Sequence, residues 1–297
     1  MLYLIDDIDE PGVQGLPSHP EKLAPLLGGL TDLALANLRA YGISVELISK
    51  QMYHDLETTC STSFRVALAE KSLFPAADHY LNITRGVVRI ADASGGPFHL
   101  IPREGHISVE TQLTSLAAEI TYSNRRSGTC ILDDGIGGSG MTIRRVCEVL
   151  ATHGHLVSEI LVGLSNRSAR QVAGIPIRCI LQLGDDDTWM NLRDLIWGFP
   201  NSGVTLLDQG SIVGGIPYGL NCQIAAARAV APTAARSFCE ASAKLSCVFW
   251  NEVSMIAGEA VTLRMLPRLD FLSRRTSGNN SVVEFIQWIR SIEFCYD

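Results

Sequence analysis

The apolar positions of this 297-residue chain form short continuous runs, separated by polar turns and joined by a few helical stretches. Leu2 to Ile5 is the first run and predicts a strand; a Gly/Pro-rich loop follows to about Pro25. A helical spacing over Leu30 to Tyr41 ends at Gly42, and Ser44 to Ile48 predicts a second strand. Further on, Cys130 to Leu132 reads as a buried strand, and a helix opens near Thr142 and ends near Gly154. Two more apolar segments follow, Leu156 to Leu164 and Ile175 to Leu181. Strands alternating with helices predict an α/β chain.

The later part differs. Gly198 to Gly219 reads as loop, carrying Pro200, Gly203, Gly210, Gly214, Gly215 and Pro217. Thr233 to Ala257 predicts a long amphipathic helix whose stripe of Phe238, Leu245, Val248, Phe249 and Trp250 reads as core packing, with a partner subunit as the other occupant of that face. A turn at 277–281 precedes a last helix, Val282 to Ile292. The chain therefore divides into an N-terminal α/β segment (1–75), a core (76–195) and a mostly helical C-terminal extension (196–297).

Candidate chemistry concentrates in residues 129–146. The strand from Cys130 to Leu132 stops at two adjacent carboxylates, Asp133 and Asp134, and a loop carrying Gly135, Gly137, Gly138 and Gly140 leads into the helix. Glycines let backbone N–H groups converge on an anion, and a helix N-terminus adds partial positive charge. The expected ligand carries phosphate at one end and, opposite the carboxylates, hydroxyls or a hydrated metal. Gly135-x-Gly137-x-x-Gly140 also satisfies the dinucleotide fingerprint. The acidic pair opposes that reading, because unit charges about 4 Å apart repel by roughly 4 kcal/mol at an effective dielectric near 20. An acidic residue about 20 positions on is also poorly matched, since Glu159 falls near the start of the next strand.

The stretch resembles the ribose-phosphate loop of type I phosphoribosyltransferases: an apolar strand, two acidic residues, then a small-residue loop closing in Gly-x-Thr, here Gly140-Met141-Thr142 and one residue longer than is common. The resemblance implies that family's parallel sheet flanked by helices. It implies that Asp133 and Asp134 hold the ribose, with Asp133, Asp134 and Arg193 the catalytic set, and that Gly137, Gly138, Ser139, Gly140, Met141 and Thr142 cradle the 5′-phosphate. Downstream, Ile175-Pro176-Ile177 runs toward Asp185-Asp186-Asp187 and Arg193-Asp194-Leu195, an order similar to the hypoxanthine-guanine branch. By that resemblance Asp186 orders Mg²⁺-bound water, Arg193 meets pyrophosphate, and the base lies by Ser165 and near Trp189, Trp197 or Phe199. The lysine that this branch places near Ser165–Arg167 is absent here, so the acceptor base stays open. Asp185 to Asp187 also reads as a solvated acidic turn.

A pyrophosphate turn is expected upstream, and Thr84-Arg85-Gly86, in an apolar strand from His79 to Val87, is the candidate. Arg85 can fork two hydrogen bonds onto a phosphate, and Gly86 lets the backbone approach; a surface arginine in a tight hairpin is the other reading. Residues 95–106 suggest a closing hairpin, with Arg103 and His106 as lid residues. Two functions follow from the resemblance. One is a glycosyltransferase moving phosphoribosyl from phosphoribosyl pyrophosphate (PRPP) to a nitrogenous base with release of pyrophosphate. The other is an inactive binding, regulatory or effector subunit that holds PRPP or a nucleotide.

Charge narrows the partners. A net charge of −7 with no basic cluster longer than a dipeptide excludes a nucleic-acid footprint. No apolar run approaches the ~18 residues of a membrane span. Asp6, Asp7 and Asp9 are wrong for a secretory signal. Asp7-Ile8-Asp9 after the first strand resembles the haloacid-dehalogenase signature, but Pro11 stands where that signature has Thr or Val. The eight cysteines lack Cys-x-x-Cys spacing and read as reduced thiols of a cytoplasmic protein without a zinc site. A homo-oligomer or a protein partner is expected through the C-terminal extension.

Overall fold

The computed structural model describes residues 1–8, 20–84, 87–89, 101–103, 106–122, 128–137, 140–166, 169–199, 202–208, 211–220, 222, 225, 230–266, 269 and 281–293. The chain is α/β and separates into two compact units. One, the terminal unit, comprises Met1–Leu47, Gly86–Pro97 and Thr188–Asp297; the other, the central unit, comprises Ile48–Arg85 and Phe98–Asp187. These seams differ from the three-part division of the sequence, because the C-terminal third packs with the first strand and helices.

In the terminal unit, β1 (Leu2–Ile5) lies between β2 (Val45–Ile48) and the later strand Thr188–Asn191, which it pairs in parallel from Leu2↔Thr188 to Ile5↔Asn191. Helix α1 (Pro20–Gly28) begins inside the stretch read as loop, with Pro20 supplying the fixed φ of a first helical residue. Helix α2 (Leu30–Ala40) buries Leu30, Ala34, Leu35 and Leu38. These pack in one core with Phe238, Phe249 and Trp250 of the long helix Ala235–Ala257 and Phe285 of the helix Val282–Glu293. The two buried indoles and the Ser242 hydroxyl of this core are hydrogen-bonded. Trp250 Nε1 donates to Trp197 O (2.7 Å), Trp197 Nε1 to Ser242 Oγ (3.0 Å), and Ser242 Oγ to Leu195 O (2.8 Å).

The central unit is built on one mostly parallel sheet. In chain order its strands are β3 (Phe64–Ala67), β4 (His79–Tyr80), then, beyond short β5 (Ile83–Thr84), β6 (Val87–Arg89, in the terminal unit) and β7 (Ile101–Pro102), β8 (Thr129–Ile136), β9 (Val157–Asn166), β10 (Gln171–Val172) and β11 (Ile175–Leu183). Their spatial order is β10-β11-β9-β8-β3-β4, parallel throughout except for β10. Helices α4 (Val109–Tyr122) and α5 (Met141–Thr152) share a core with Phe64, Val66, Ile131, Ile160 and Val162. Helix α3 (Lys50–Thr58) contributes Tyr53, which is wholly buried against Gly163; a Cβ there would stand 2.2 Å from the ring. The stretch His79 to Val87, expected as an apolar strand broken at Arg85-Gly86, is divided among β4, β5 and β6.

Strand β12 is Thr188–Asn191, and β13 (Val204–Asp208) and β14 (Ser211–Ile216) form an antiparallel pair. This corrects the loop expected over Gly198–Gly219. Glycine content there serves a hairpin: Gly203 has φ +69°, and a Cβ would meet Ile216 O at 2.4 Å.

Candidate functional site

The strand order β4-β3-β8-β9-β11 reverses direction between β3 and β8, because the chain leaves β3 toward one edge and later resumes on its other side. Such a switch point opens a crevice at the carboxyl ends of the two strands. The glycine loop leaves β8 at that end. Gly140 takes φ +61°, and a Cβ on it would meet Val172 Cγ2 at 2.5 Å and Ile136 Cδ1 at 2.9 Å, so glycine is required for both backbone and packing. The first ladder bond of α5 is Arg144 N to Gly140 O (2.9 Å), leaving the amides of Met141, Thr142 and Ile143 without an acceptor inside the helix. The first turn of α5 carries no acidic residue, so its positive end is not neutralised from within the helix. Gly138 and Ser139 lie outside the described residues.

The acidic pair sits differently from expectation. The strand does not stop at Leu132 but continues through Asp133, Asp134 and Gly135 to Ile136, paired with β9 at Asp133↔Val162 and Gly135↔Leu164. The pair is therefore buried, 2% and 6% exposed, rather than at a solvent-facing strand end. Strand alternation directs the two carboxylates to opposite faces of the sheet. Asp133 Oδ1 accepts the amide of Asp134 (2.9 Å), and Tyr53 Oη donates to Asp134 O (2.8 Å), which holds this segment in the sheet. At ~3.3 Å per residue, Gly137 begins about 10 Å beyond Asp134.

The remaining expected residues scatter. Ser165, at the end of β9, is buried, and its hydroxyl donates to Ala169 O (2.9 Å) within its own turn. Asp186 is exposed in a turn after β11, where Gly184 N donates to Asp187 Oδ2 (2.8 Å); this is the solvated acidic turn. Trp189 is half-buried on β12, and it and Arg193 belong to the terminal unit, whereas the glycine loop belongs to the central one. Arg193 is buried and ion-paired with Asp7, Nε to Oδ2 at 3.1 Å, while its amide donates to Asp7 Oδ1 (3.4 Å). The guanidinium assigned to pyrophosphate by resemblance is thus engaged inside its own unit. Trp197 and Phe199 are buried in the terminal core, which removes them as base-stacking rings.

Of the upstream turn, Arg85 and Gly86 lie outside the described residues, and Thr84 is described only as backbone of β5, which pairs antiparallel with β7. Arg103 is no free lid residue: its Nη1 pairs with Glu70 and its Nε donates to Ile83 O (3.4 Å). His106 is exposed. Gln112 fixes this region to α4, accepting Asn82 N (2.7 Å) and donating to Asn82 O (3.1 Å) and Ile107 O (2.9 Å).

One cluster escaped the sequence altogether. Cys60, Cys130 and Glu159 present three ligand atoms within 4.8 Å of one another at the amino ends of β3, β8 and β9. The spacing gave no signal, because these residues are brought together only by the sheet: Cys130 pairs with Glu159 across β8 and β9. Burial pushes the Cys130 thiol far up, helped by Cys60 and Glu159 and opposed by Arg65. Burial also works against the charge of Glu159, but hydrogen bonds from the Ser61 hydroxyl and amide hold its carboxyl below the usual range.

Comparison with protein-family models, with curated proteins and with solved structures finds no match to this chain. Among the described residues no helix is long and apolar enough to cross a membrane.

Proposed function

We propose that the central unit binds a phosphorylated ribose, PRPP or a nucleotide, with the 5′-phosphate on the backbone of Gly137 to Thr142. The supporting observation is the placement of this loop and the α5 N-terminus at the carboxyl end of β8, beside the switch point with β3. Asp133 and Asp134 stand behind the loop on the same strand, in the order that the phosphoribosyltransferase resemblance requires. Transfer of phosphoribosyl to a nitrogenous base, with departure of pyrophosphate, is the reaction this arrangement would serve; positioning and charge stabilisation would carry it.

A binding or effector role without turnover is favoured by a specific observation. Arg193, the arginine that would stabilise departing pyrophosphate, is buried against Asp7. Magnesium fits the described residues poorly: Asp186 stands in an exposed turn, and no group of three potential ligands forms around it.

Thr142→Asp tests the phosphate cradle separately from the fold. An acidic residue in a first helical turn stabilises a helix by about 0.3–1 kcal/mol, yet it repels a bound phosphate. Calorimetry with PRPP and with ribose 5-phosphate is expected to show binding to the parent protein and its loss in Thr142→Asp, with thermal stability unchanged or raised. Equal affinity in the two proteins would remove the assignment. Pyrophosphate release with a panel of purine and pyrimidine bases then separates transferase from binding subunit.

A further inference from the structure

At the amino end of the same sheet, about 23 Å along β8 from the loop at ~3.3 Å per residue, the structure places two thiols and a carboxylate together. Cys60 follows α3, Cys130 is the second residue of β8, and Glu159 is its register partner on β9. Their ligand atoms lie within 4.8 Å of one another. Three ligands on a tetrahedral zinc, with Zn–S near ~2.3 Å, stand about 3.7 Å apart, so coordination needs only a small contraction.

We propose that Cys60, Cys130 and Glu159 form a binding site for a soft divalent cation of the zinc class, with the fourth position facing the half-exposed side of Cys60.

The surroundings are organised as ligand support. Ser61 donates through its amide to Glu159 Oε2 (3.1 Å) and through its hydroxyl to Oε1, fixing the carboxylate while leaving each oxygen a lone pair. Thr62 Oγ1 lies 3.1 Å from Cys60 Sγ and can donate to the sulfur. Cys130 is wholly buried, whereas Cys60 and Glu159 are partly exposed, so solvent reaches the cluster at those two residues. Two thiolates and a carboxylate around a dication leave one negative charge. Arg65, the register partner of Cys130 on β3, and Arg178 on β11 act on this cluster with the compensating sign. Thiolates select a soft or borderline cation over Mg²⁺ or Ca²⁺. On binding, each thiol releases its proton to solvent.

The test is a Co²⁺ titration of the full chain, kept reduced with a phosphine, followed by displacement with Zn²⁺ and native mass spectrometry. One metal per chain is expected, with a thiolate-to-cobalt charge-transfer band that zinc abolishes. Cys60→Ser changes a half-exposed position and is expected to weaken binding and reduce the band. Ser61→Ala leaves all three ligands in place and is expected to weaken affinity by about 10–100-fold, with circular dichroism unchanged. Absence of the band at equimolar cobalt, or the same band and affinity in Cys60→Ser, overturns the site. A Cys60–Cys130 disulfide in air-oxidised protein, together with no metal uptake by the reduced protein, also overturns it and identifies a redox pair.

Discussion

Each unit of this protein has an Asp-Asp pair late in, or just past, a strand with a parallel neighbour, and the two strand ends are used in opposite ways. In the terminal unit, Asp7 lies just past β1 and meets Arg193 just past the neighbouring strand β12, so the strand end is closed by a buried ion pair. In the central unit, Asp133 and Asp134 are drawn into β8 itself, and the strand end leads into glycine backbone and a helix N-terminus. An ion pair fills the space over a strand end with side chains. A glycine loop ahead of a helix N-terminus leaves room for an anion there instead. Similar strings of residues, Leu-Ile-Asp-Asp and Ile-Leu-Asp-Asp, thus lead to an internal brace in one unit and a candidate anion site in the other.

Breaking the brace has the largest expected effect. Removing one partner of a buried ion pair typically costs about 3–5 kcal/mol, because the other charge is left behind. Arg193→Ala is expected to lower stability by that amount in denaturant unfolding, whereas Asp7→Leu with Arg193→Met recovers most of the loss. If Arg193 instead serves a ligand, the single variant loses binding with little change in stability, and the comparison fails.

The central unit can be challenged through the contact that holds Asp134. Gly163→Ala places a methyl against the Tyr53 ring, where the expected overpacking cost is about 1–3 kcal/mol. Tyr53→Ala should remove that specific penalty, so a double-mutant cycle is expected to show strong coupling; additive effects would refute the packing described.

The smallest effect concerns Glu57 on α3. Its side chain is buried, accepts Ala76 N at 3.2 Å through Oε2, and has no hydrogen-bond partner at Oε1. Burial raises its carboxyl above the usual range, with the Ala76 bond and nearby Arg65 and His54 partly opposing this. A carboxyl raised in the folded state favours folding while protonated, and that contribution is lost as pH rises from the unfolded value near 4.5 through the folded one. Glu57→Gln is therefore expected to be more stable than the parent at neutral pH, with the difference vanishing as pH falls to about 4. A gap independent of pH would show that Glu57 titrates normally.

Most repeating elements were legible in the sequence. β1 matches the run from Leu2 to Ile5, and the two late helices fall where their amphipathic patterns place them, since burying an apolar stripe is a local signal. The continuation of β8 across Asp133 and Asp134 was not legible, because burial of those carboxylates depends on Tyr53 and β9, both far away in sequence. For the same reason Arg193 could be matched to a motif but not to Asp7, its partner 186 residues away. The glycine loop and α5 were legible as a local strand–loop–helix pattern. Their place at the switch point required the sheet order.

The most direct measurement of the central claim is a titration of the ¹⁵N-labelled protein with ribose 5-phosphate, following backbone amide resonances. The expected result is saturable shifts concentrated at Gly137 through Ile143, with the amides around Arg193 and Cys60 unmoved. Binding that shifts other segments and leaves Gly137 through Ile143 unchanged would contradict the account.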